Sequence, residues 1–311
     1  MPRVGLVGCR VMLDDLLSQR YQNTGSLDDL TRAVDLLSQA VNETAPGSPD
    51  RPRQLVDLSI TLLDRHNSLG DPADLARAAQ ACEEAVDLMP ATSPDRPACL
   101  VQWAIALFRR YELTGLLDDL DQAAAGLEEA VATAQPDEFA LRGWRVNLAT
   151  ILQRRWRRAC DRADLDRAVA LYESAADADS LLSDRFATVN NLGNALRERA
   201  RYTGVTADFD RAIEMLRIAL TIATEGTPHH ATTLANLGVA LRDRRAAGGA
   251  AADLDEAVHH LGRAVESTAV GDPDGPRRLF VFAQAVRDRT DPGRTPTRTQ
   301  PGETPVNWTP P

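Results

Sequence analysis

The chain has 311 residues, with 43% apolar but only 5% aromatic residues and a formal net charge of −10. Its 35 basic residues are all Arg, are outnumbered by 45 acidic residues and form no long run, so the composition argues against binding to nucleic acid or to an anionic membrane. The longest uncharged apolar stretch, 98–108, is about half as long as a bilayer requires, and no signal peptide is evident. We therefore expect a cytoplasmic protein, and its Ala- and Leu-rich composition suits many thin helical layers.

One pattern recurs six times along the chain. An Asp-Leu or Asp-Phe pair is followed by Ala three residues later, then by a larger residue after four more and by another Ala after three more. Because these spacings place the residues on one helical face, each copy predicts an amphipathic helix. Successive copies are 45, 45, 45, 44 and 45 residues apart, and their Asp residues are Asp29, Asp74, Asp119, Asp164, Asp208 and Asp253.

A second periodic segment precedes each of these helices, so every copy predicts a helix hairpin. Its mark is a large residue followed by a small one, with another large residue three positions beyond the small one. The small residues are Ser59, Ala104, Ala149, Gly193, Gly238 and Ala283. In the first copy Asp14 takes this position, and we expect nothing to pack against it, which makes the first hairpin an end cap. A seventh first-type helix, 276–289, is predicted to close the array.

The helix starts are predicted from capping residues. Ser48 and Ser93 each precede a Pro, which predicts a capping Ser with Pro at the first helical position, and Asp71-Pro72 opens a second-type helix in the same way. The recurring Asp then falls near the third helical residue, where a carboxylate complements the positive helix end.

The segments 191–196 and 236–241, Asn-Leu-Gly-x-Ala-Leu, each followed by Ala-x-x-x-Leu on the next helix, resemble the tetratricopeptide repeat (TPR). The resemblance implies an all-α fold, a right-handed α-solenoid of about six helix hairpins plus a C-terminal capping helix, over residues 1–289. The period exceeds the standard 34 residues. In this it is similar to the long-repeat bacterial type, often found beside a CHAT-type protease or a signalling ATPase. Residues 290–311 contain six Pro and six Thr and are predicted to form a disordered tail.

The residues needed for catalysis are not grouped in the sequence. Four Cys and five His are scattered, without a Cys-x-x-Cys pair, and adjacent His residues on a helix point about 100° apart, which suits chelation poorly. We predict no catalytic residues, no metal site and no cofactor, and hence a protein that is not an enzyme.

An Arg recurs nine residues before each Asp, at Arg20, Arg65, Arg110, Arg155, Arg199 and Arg244, and again at Arg289. Its position on the helix points toward the hairpin interior, so these residues predict an internal ladder of Arg–carboxylate pairs.

Residues that vary at one register position between the copies are the candidates for binding. One stripe of the first helices is apolar in the early copies, as at Val56 and Ile60, and becomes polar to basic in the later ones. In the TPR family this stripe lines a concave groove that receives peptides. The predicted peptide-binding residues on or beside it are Asn147, Asn190, Asn191, Asn194, Arg197, Asn236, Arg242, Gln284 and Arg287.

Two alternatives stay open for this stripe. Its residues belong either to a peptide site or to solvated surface and hairpin packing, with Arg197, Arg242 and Arg287 paired locally with Glu198, Asp243 or Asp288. The predicted function is a protein–protein interaction scaffold that binds a peptide segment, with the Arg residues selecting an acidic one. The alternative is a sensor or regulatory module that acts with a CHAT-type protease or signalling ATPase.

Overall fold

A computed structural model describes residues 2–134, 140–176, 182–269 and 271–291. Over these ranges the chain forms thirteen α-helices and no strand, which confirms the all-α class and the succession of helix hairpins with a closing helix. The predicted tail, 290–311, lies outside the described residues except for Thr290 and Asp291.

The helices fall into two compact units, Met1–Ile151 and Leu152–Pro311. Unit 1 contains α1 (Pro2–Thr24), α2 (Leu27–Glu43), α3 (Arg51–Leu69), α4 (Pro72–Leu88), α5 (Arg96–Thr114) and α6 (Leu117–Thr133). Helix α7 (Leu141–Ala159) runs across the boundary. Unit 2 continues with α8 (Arg162–Ala176), α9 (Leu182–Thr203), α10 (Thr206–Ile222), α11 (Pro228–Ala246), α12 (Ala252–Glu266) and α13 (Gly275–Thr290).

In unit 1, each odd-numbered helix from α1 to α5 packs against the next even-numbered one, and the hairpins stack through α2 on α3 and α4 on α5. The small residues Ser59 and Ala104 are fully buried, as is the repeated face Ala78, Cys82 and Ala85 of α4. The spacing rule therefore identified the buried face correctly. Asp14 does not fit the expectation that this position of the first hairpin is uncovered, because the residue is only 4% exposed. The expectation that nothing packs there was wrong, since α2 packs on α1 as in the other hairpins.

In unit 2, the small residues permit a close helix approach. A Cβ added at Gly193 would lie 2.6 Å from Cγ of Leu216, and one added at Gly238 would lie 2.6 Å from Cγ of Leu261. These Leu residues come from the second helix of the same hairpin, α10 and α12 respectively. Glycine is thus required at both contacts because any larger side chain would push the two helices apart.

Two helix starts differ from the prediction. Helix α3 begins at Arg51 and α5 at Arg96, two residues after the Pro that was expected to open each. The segment from Ser48 forms a turn instead, in which the N–H of Arg51 donates to the Ser48 carbonyl oxygen at 3.2 Å. Proline favours the second position of such a turn, which explains the shift. Helix α4 does begin at Pro72, with the Asp71 carboxylate accepting from the N–H of Ala73 at 2.9 Å.

The turn inside each hairpin needs one residue in the left-handed region. Four copies place Gly there, with φ between +70° and +79°, at Gly25, Gly70, Gly115 and Gly204. The fourth copy uses Cys160 at φ +57°, and the sixth uses Gly248 rather than the Gly249 that the register indicates. Cys160 is the one non-glycine residue with positive φ in the described part of the chain.

Candidate functional site

The predicted Arg–Asp ladder is present in all six complete hairpins. In each, the Arg Nε and Nη2 groups donate to the two carboxylate oxygens of the Asp nine residues later. For Arg65 and Asp74 the two distances are 2.8 and 2.5 Å, and the Asp74 side chain is 1% exposed. Hydrogen bonding to Asp74 raises the pKa of Arg65. The paired groups bind each other across the turn and leave no carboxylate free for a ligand.

The Asp occupies the third helical residue in five second helices and the second residue in α12. It therefore lies near the positive end of its helix as predicted, and it receives a guanidinium as well. At Asp29, hydrogen bonds from Arg20 lower the carboxyl pKa.

A second set of paired cations, half-buried at the helix ends, was not predicted from the sequence. Arg51 Nη1 donates to the carbonyl oxygens of Val41 and Thr44 at 2.6 and 3.0 Å, while its Nε donates to Oε1 of Glu84 at 2.7 Å. Arg96 repeats this arrangement 45 residues later with Val86, Met89 and Glu129. Each Arg thereby caps the last carbonyls of the preceding second helix. The recurrence of Arg and Glu at one register in two copies is the signal that could have revealed it.

The structure brings four of the predicted asparagines together in unit 2. Asn236 Nδ2 donates to Asn190 Oδ1 at 3.1 Å, and Asn190 Nδ2 lies 3.4 Å from Asn191 Oδ1. Asn194 Nδ2 donates to the backbone carbonyl of Asn190 at 3.1 Å. All four side chains are half-buried. Asn147 is also half-buried but belongs to unit 1.

Two predicted Arg residues continue this hydrogen-bonded row from α9 to α13. Arg197 Nη1 donates to Asp243 Oδ2 at 2.8 Å, and Arg242 Nε donates to Asp288 Oδ2 at 2.6 Å. Arg242 Nη1 also donates to Gln284 Oε1 at 2.8 Å. The two Arg side chains are 13% and 15% exposed. Their acidic partners lie one hairpin further on rather than next in sequence, so their charges are compensated between hairpins.

Glu198 and Arg287 do not form the local ion pairs of the alternative prediction either, among the described residues. Glu198 does not pair with its neighbour Arg197, because it accepts from Arg157 Nη2 at 2.5 Å and from Gln153 Nε2 at 2.9 Å. Arg287 is exposed and has no ion pair among the described residues. Of Arg197, Arg242 and Arg287, Arg287 is the one without an ion pair among the described residues.

Arg277 is a functional candidate that sequence analysis missed. It lies on α13 one turn before Phe280, on the same stripe as Gln284, and it has no ion pair among the described residues. Although the residue as a whole is exposed, partial burial of its guanidinium lowers the pKa of Arg277, and the charges of Arg197 and Arg157 lower it further, while Asp274 acts in the opposite direction. The equivalent residue is Thr232 in α11, so the variation used to select the stripe also marked this position.

A small cavity of about 30 Å³ adjoins Arg277. It is lined by residues of α11 and α13 that include Thr232, Asn236, Val239 and Val281. Its volume suits about one water molecule. Below it the buried Arg278 donates to Thr232 Oγ1 at 3.1 Å and to Asp272 Oδ2 at 2.7 Å. The stripe is thus a surface with polar groups and no deep pocket.

The described residues contain no group of three His, Cys, Asp or Glu side chains able to hold a metal ion. Burial raises the pKa of Cys82 to about 12 and that of Cys99 to about 11. Thiols with such values stay protonated at neutral pH and are poor nucleophiles. Cys9 has no described side chain.

Comparison with known proteins identifies similar folds. The tetratricopeptide repeat family profile matches residues 186–220, which span most of the α9–α10 hairpin. No curated protein matches the sequence. The crystal structure of the APC/C hetero-tetramer Cut9–Hcn1 is 14% identical with a TM-score of 0.53, and the match covers 83% of this chain but only 40% of that one.

Two further structures match over nearly the whole chain. The C-terminal part of a TPR repeat-containing protein from Cytophaga hutchinsonii is 11% identical, with a TM-score of 0.54 and coverage of 92% of this chain and 90% of that one. The S. pombe nuclear import adaptor Nro1 is 12% identical, with a TM-score of 0.52 and coverage of 90% and 99%. At these identities the likeness shows the fold alone. Together with the matched repeat it supports a TPR-like helical fold. Within the described residues, no helix has both the length and the apolar character needed to cross a membrane.

Proposed function

We propose that this chain is a non-catalytic scaffold that binds a peptide segment of a protein partner along the polar stripe of unit 2. The polar stripe consists of Asn190, Asn191, Asn194, Arg197, Asn236, Arg242, Arg277, Gln284 and Arg287. The observation that supports the proposal is the hydrogen-bonded row that joins residues of α9, α11 and α13 across the faces of three first helices. Asn147 belongs to unit 1 and stays a separate prediction from the sequence.

The geometry suits an extended backbone. Each Asn side chain offers both a donor and an acceptor, which is what a peptide N–H and C=O require. Because Asn190 and Asn236 already hold each other in place, little side-chain entropy is lost when a peptide binds. A half-buried row also excludes part of the solvent that would otherwise compete for these groups.

The Arg side chains of the stripe favour an acidic peptide segment, but Arg197 and Arg242 are not the residues that would bind it. Arg197 and Arg242 are neutralised by Asp243 and Asp288 and act mainly to hold the helices and the row in register. Arg277 and Arg287 are the cations of the stripe that form no ion pair among the described residues. A carboxylate of the partner would gain charge-assisted hydrogen bonds there and relieve the repulsion between Arg277 and its cationic neighbours.

Affinity capture with two matched variants tests this proposal. The double variant Arg277→Ala/Arg287→Ala should fold normally, weaken capture of the partner at least about tenfold, which is about 1.4 kcal/mol, and flatten the salt dependence of binding. The control, Arg32→Ala/Arg53→Ala, removes the same charge from exposed positions of unit 1. Asn190→Ala/Asn236→Ala should weaken binding without changing its salt dependence. Equal affinity for the two Arg variants would show that the acidic-segment assignment is wrong.

The second candidate function is a sensor or regulatory module that acts with a CHAT-type protease or signalling ATPase. Its support is the 45-residue period, which resembles the repeats found beside such domains. The proteins captured above separate the two candidates. A protease or ATPase whose activity changes when this chain is added favours the regulatory function, whereas a captured protein without such activity favours the scaffold.

A further inference from the structure

Helix α13 is a first helix, and no second helix follows it among the described residues. In the complete hairpins the small residue of the first helix faces the second helix and is buried, as Ala104 is in α5. The equivalent Ala283 in α13 is exposed. One turn earlier, Leu279 is 55% exposed, whereas its equivalents Leu100 and Leu234 are 1% and 0% exposed.

The opposite side of α13 packs against α11 and α12. Ala285 is completely buried and the carboxylate of Asp288 is held by Arg242 of α11. A Cβ added at Gly262 of α12 would lie 3.5 Å from the Phe282 ring. The open face, Leu279 and Ala283, is therefore the side on which a second helix would lie.

The Arg–Asp ladder is also incomplete at α13. Arg289 occupies the register of the ladder Arg residues, but the position nine residues later is Arg298 instead of Asp. Its ion pair is with Asp255 of α12 at 3.8 Å, the same backward contact that Arg244 makes with Asp210 at 2.8 Å. The forward pair, which every complete hairpin forms with an Asp of its second helix, is not present among the described residues.

The charges of α13 indicate which kind of helix would bind to its open face. Helix α13 carries four Arg residues and one Asp, so pairing with α13 of a second copy would bring like charges together. The second helices of this chain have the opposite balance, since α2 carries four carboxylates and one Arg. An acidic helix with Asp in its first turn would satisfy both Arg289 and the overall charge.

We propose that the open face of α13 binds, in trans, an acidic amphipathic helix of a protein partner with the pattern Asp-Leu-x-x-Ala-x-x-x-Leu-x-x-Ala, and so completes a seventh hairpin. Leu and Ala of that helix would cover Leu279 and Ala283, and its Asp would pair with Arg289. This face is distinct from the polar stripe and does not depend on the function proposed for it.

Fluorescence anisotropy with the full chain tests the proposal. The probe is a fluorescein-labelled peptide with the sequence of residues 27–43, which carries this pattern and includes Asp29. We expect saturable binding that Ala283→Arg weakens at least tenfold, because the new side chain fills the small-residue position. Arg53→Ala, an exposed substitution in unit 1, serves as the control and should bind the peptide unchanged.

A double-mutant cycle tests the ion pair separately. Arg289→Ala in the protein and the Asp29→Ala change in the peptide should each weaken binding, and together they should cost less than the sum of the two. Leu279→Asp provides a second variant of the face if Ala283→Arg does not fold, as judged by circular dichroism.

Three results would overturn the proposal. The first is absence of saturable binding, and the second is binding that survives the α13 variants, which would mean that the peptide displaces α2 from its own hairpin. The third is a dimer in sedimentation equilibrium that Ala283→Arg dissociates while no peptide binds, since a second copy would then cover the face.

Discussion

At the scale of single residues, stability in this molecule depends on paired charges that the fold removes from water. Arg65 and Asp74 have side chains that are only 13% and 1% exposed. Arg65→Ala would leave the Asp74 carboxylate buried without its bidentate partner, so we expect a loss of about 3 kcal/mol in the free energy of unfolding. Urea denaturation measures it, with Arg53→Ala, an 83% exposed side chain, as the control expected to lose less than about 0.5 kcal/mol. Equal losses would contradict a structural ladder.

The ladder also makes stability depend on pH in a defined direction. Hydrogen bonds from Arg20 lower the pKa of Asp29 in the folded state. The stabilisation is therefore complete above the unfolded pKa of about 3.9 and is lost as the pH falls through the lower folded value. Asn cannot ionise, so the destabilisation caused by Asp29→Asn should be largest near neutral pH and should shrink below about pH 4. A difference that is constant with pH, in urea titrations of the two proteins, would argue against the ion pair.

Cys160 occupies a backbone conformation that suits glycine better. Its φ of +57° carries a steric cost that Gly115, at φ +73° in the equivalent turn, avoids. We expect Cys160→Gly to raise the free energy of unfolding by about 1 kcal/mol, and the reciprocal Gly115→Cys to lower it by a similar amount. Nothing lies within 4 Å of a Cβ built at Gly115, so backbone strain alone should decide the result of Gly115→Cys. Thermal and urea unfolding of both variants measure it, and a stabilising Gly115→Cys would refute the explanation.

At the scale of helices, contact distance rather than helix propensity decides which glycines are needed. Gly238 of α11 faces Leu261, and an added Cβ would lie 2.6 Å from Cγ, whereas at Gly262 of α12 it would make an ordinary contact of 3.5 Å with Phe282. We expect Gly238→Ala to destabilise the protein by about 1–3 kcal/mol through overpacking. Gly262→Ala should instead stabilise it by about 0.5–1 kcal/mol, since Ala is the better helix former. The same sign for both substitutions in thermal unfolding would show that propensity dominates.

Most of this helical architecture was predictable because it repeats. Six copies of the same spacing identify the buried face, the Arg–Asp pair and the closing helix α13 without any structural information. The starts of α3 and α5 were not predictable from their capping residues, because Ser48 and Pro49 suit a turn as well as a helix start. The capping Arg51 was missed because two of its partners are backbone carbonyls, which carry no sequence signal, so that only the recurrence of Arg and Glu at one register could have revealed it.

At the scale of the whole molecule, the repeat register correctly predicted that the first helices present equivalent faces. It did not predict which charged side chains form ion pairs on those faces. The polar stripe of unit 2 was predicted from residues that vary in register, and four of its asparagines do come together. The sequence left open whether Arg197 and Arg242 face a peptide or pair locally with carboxylates. Their pairing with Asp243 and Asp288 depends on the offset between neighbouring hairpins, which a one-dimensional register does not contain.

The central claim, that a partner peptide binds on the polar stripe, can be tested by site-specific photo-crosslinking. A benzophenone amino acid replaces Phe280, which is 52% exposed on the stripe side of α13, and in a second protein it replaces the exposed Glu214 on α10, a second helix of the same unit. We predict that the captured partner crosslinks through position 280 and not through position 214, and that Asn190→Ala/Asn236→Ala reduces the yield. Crosslinking through position 214 alone would contradict the claim and would place the partner on the second helices.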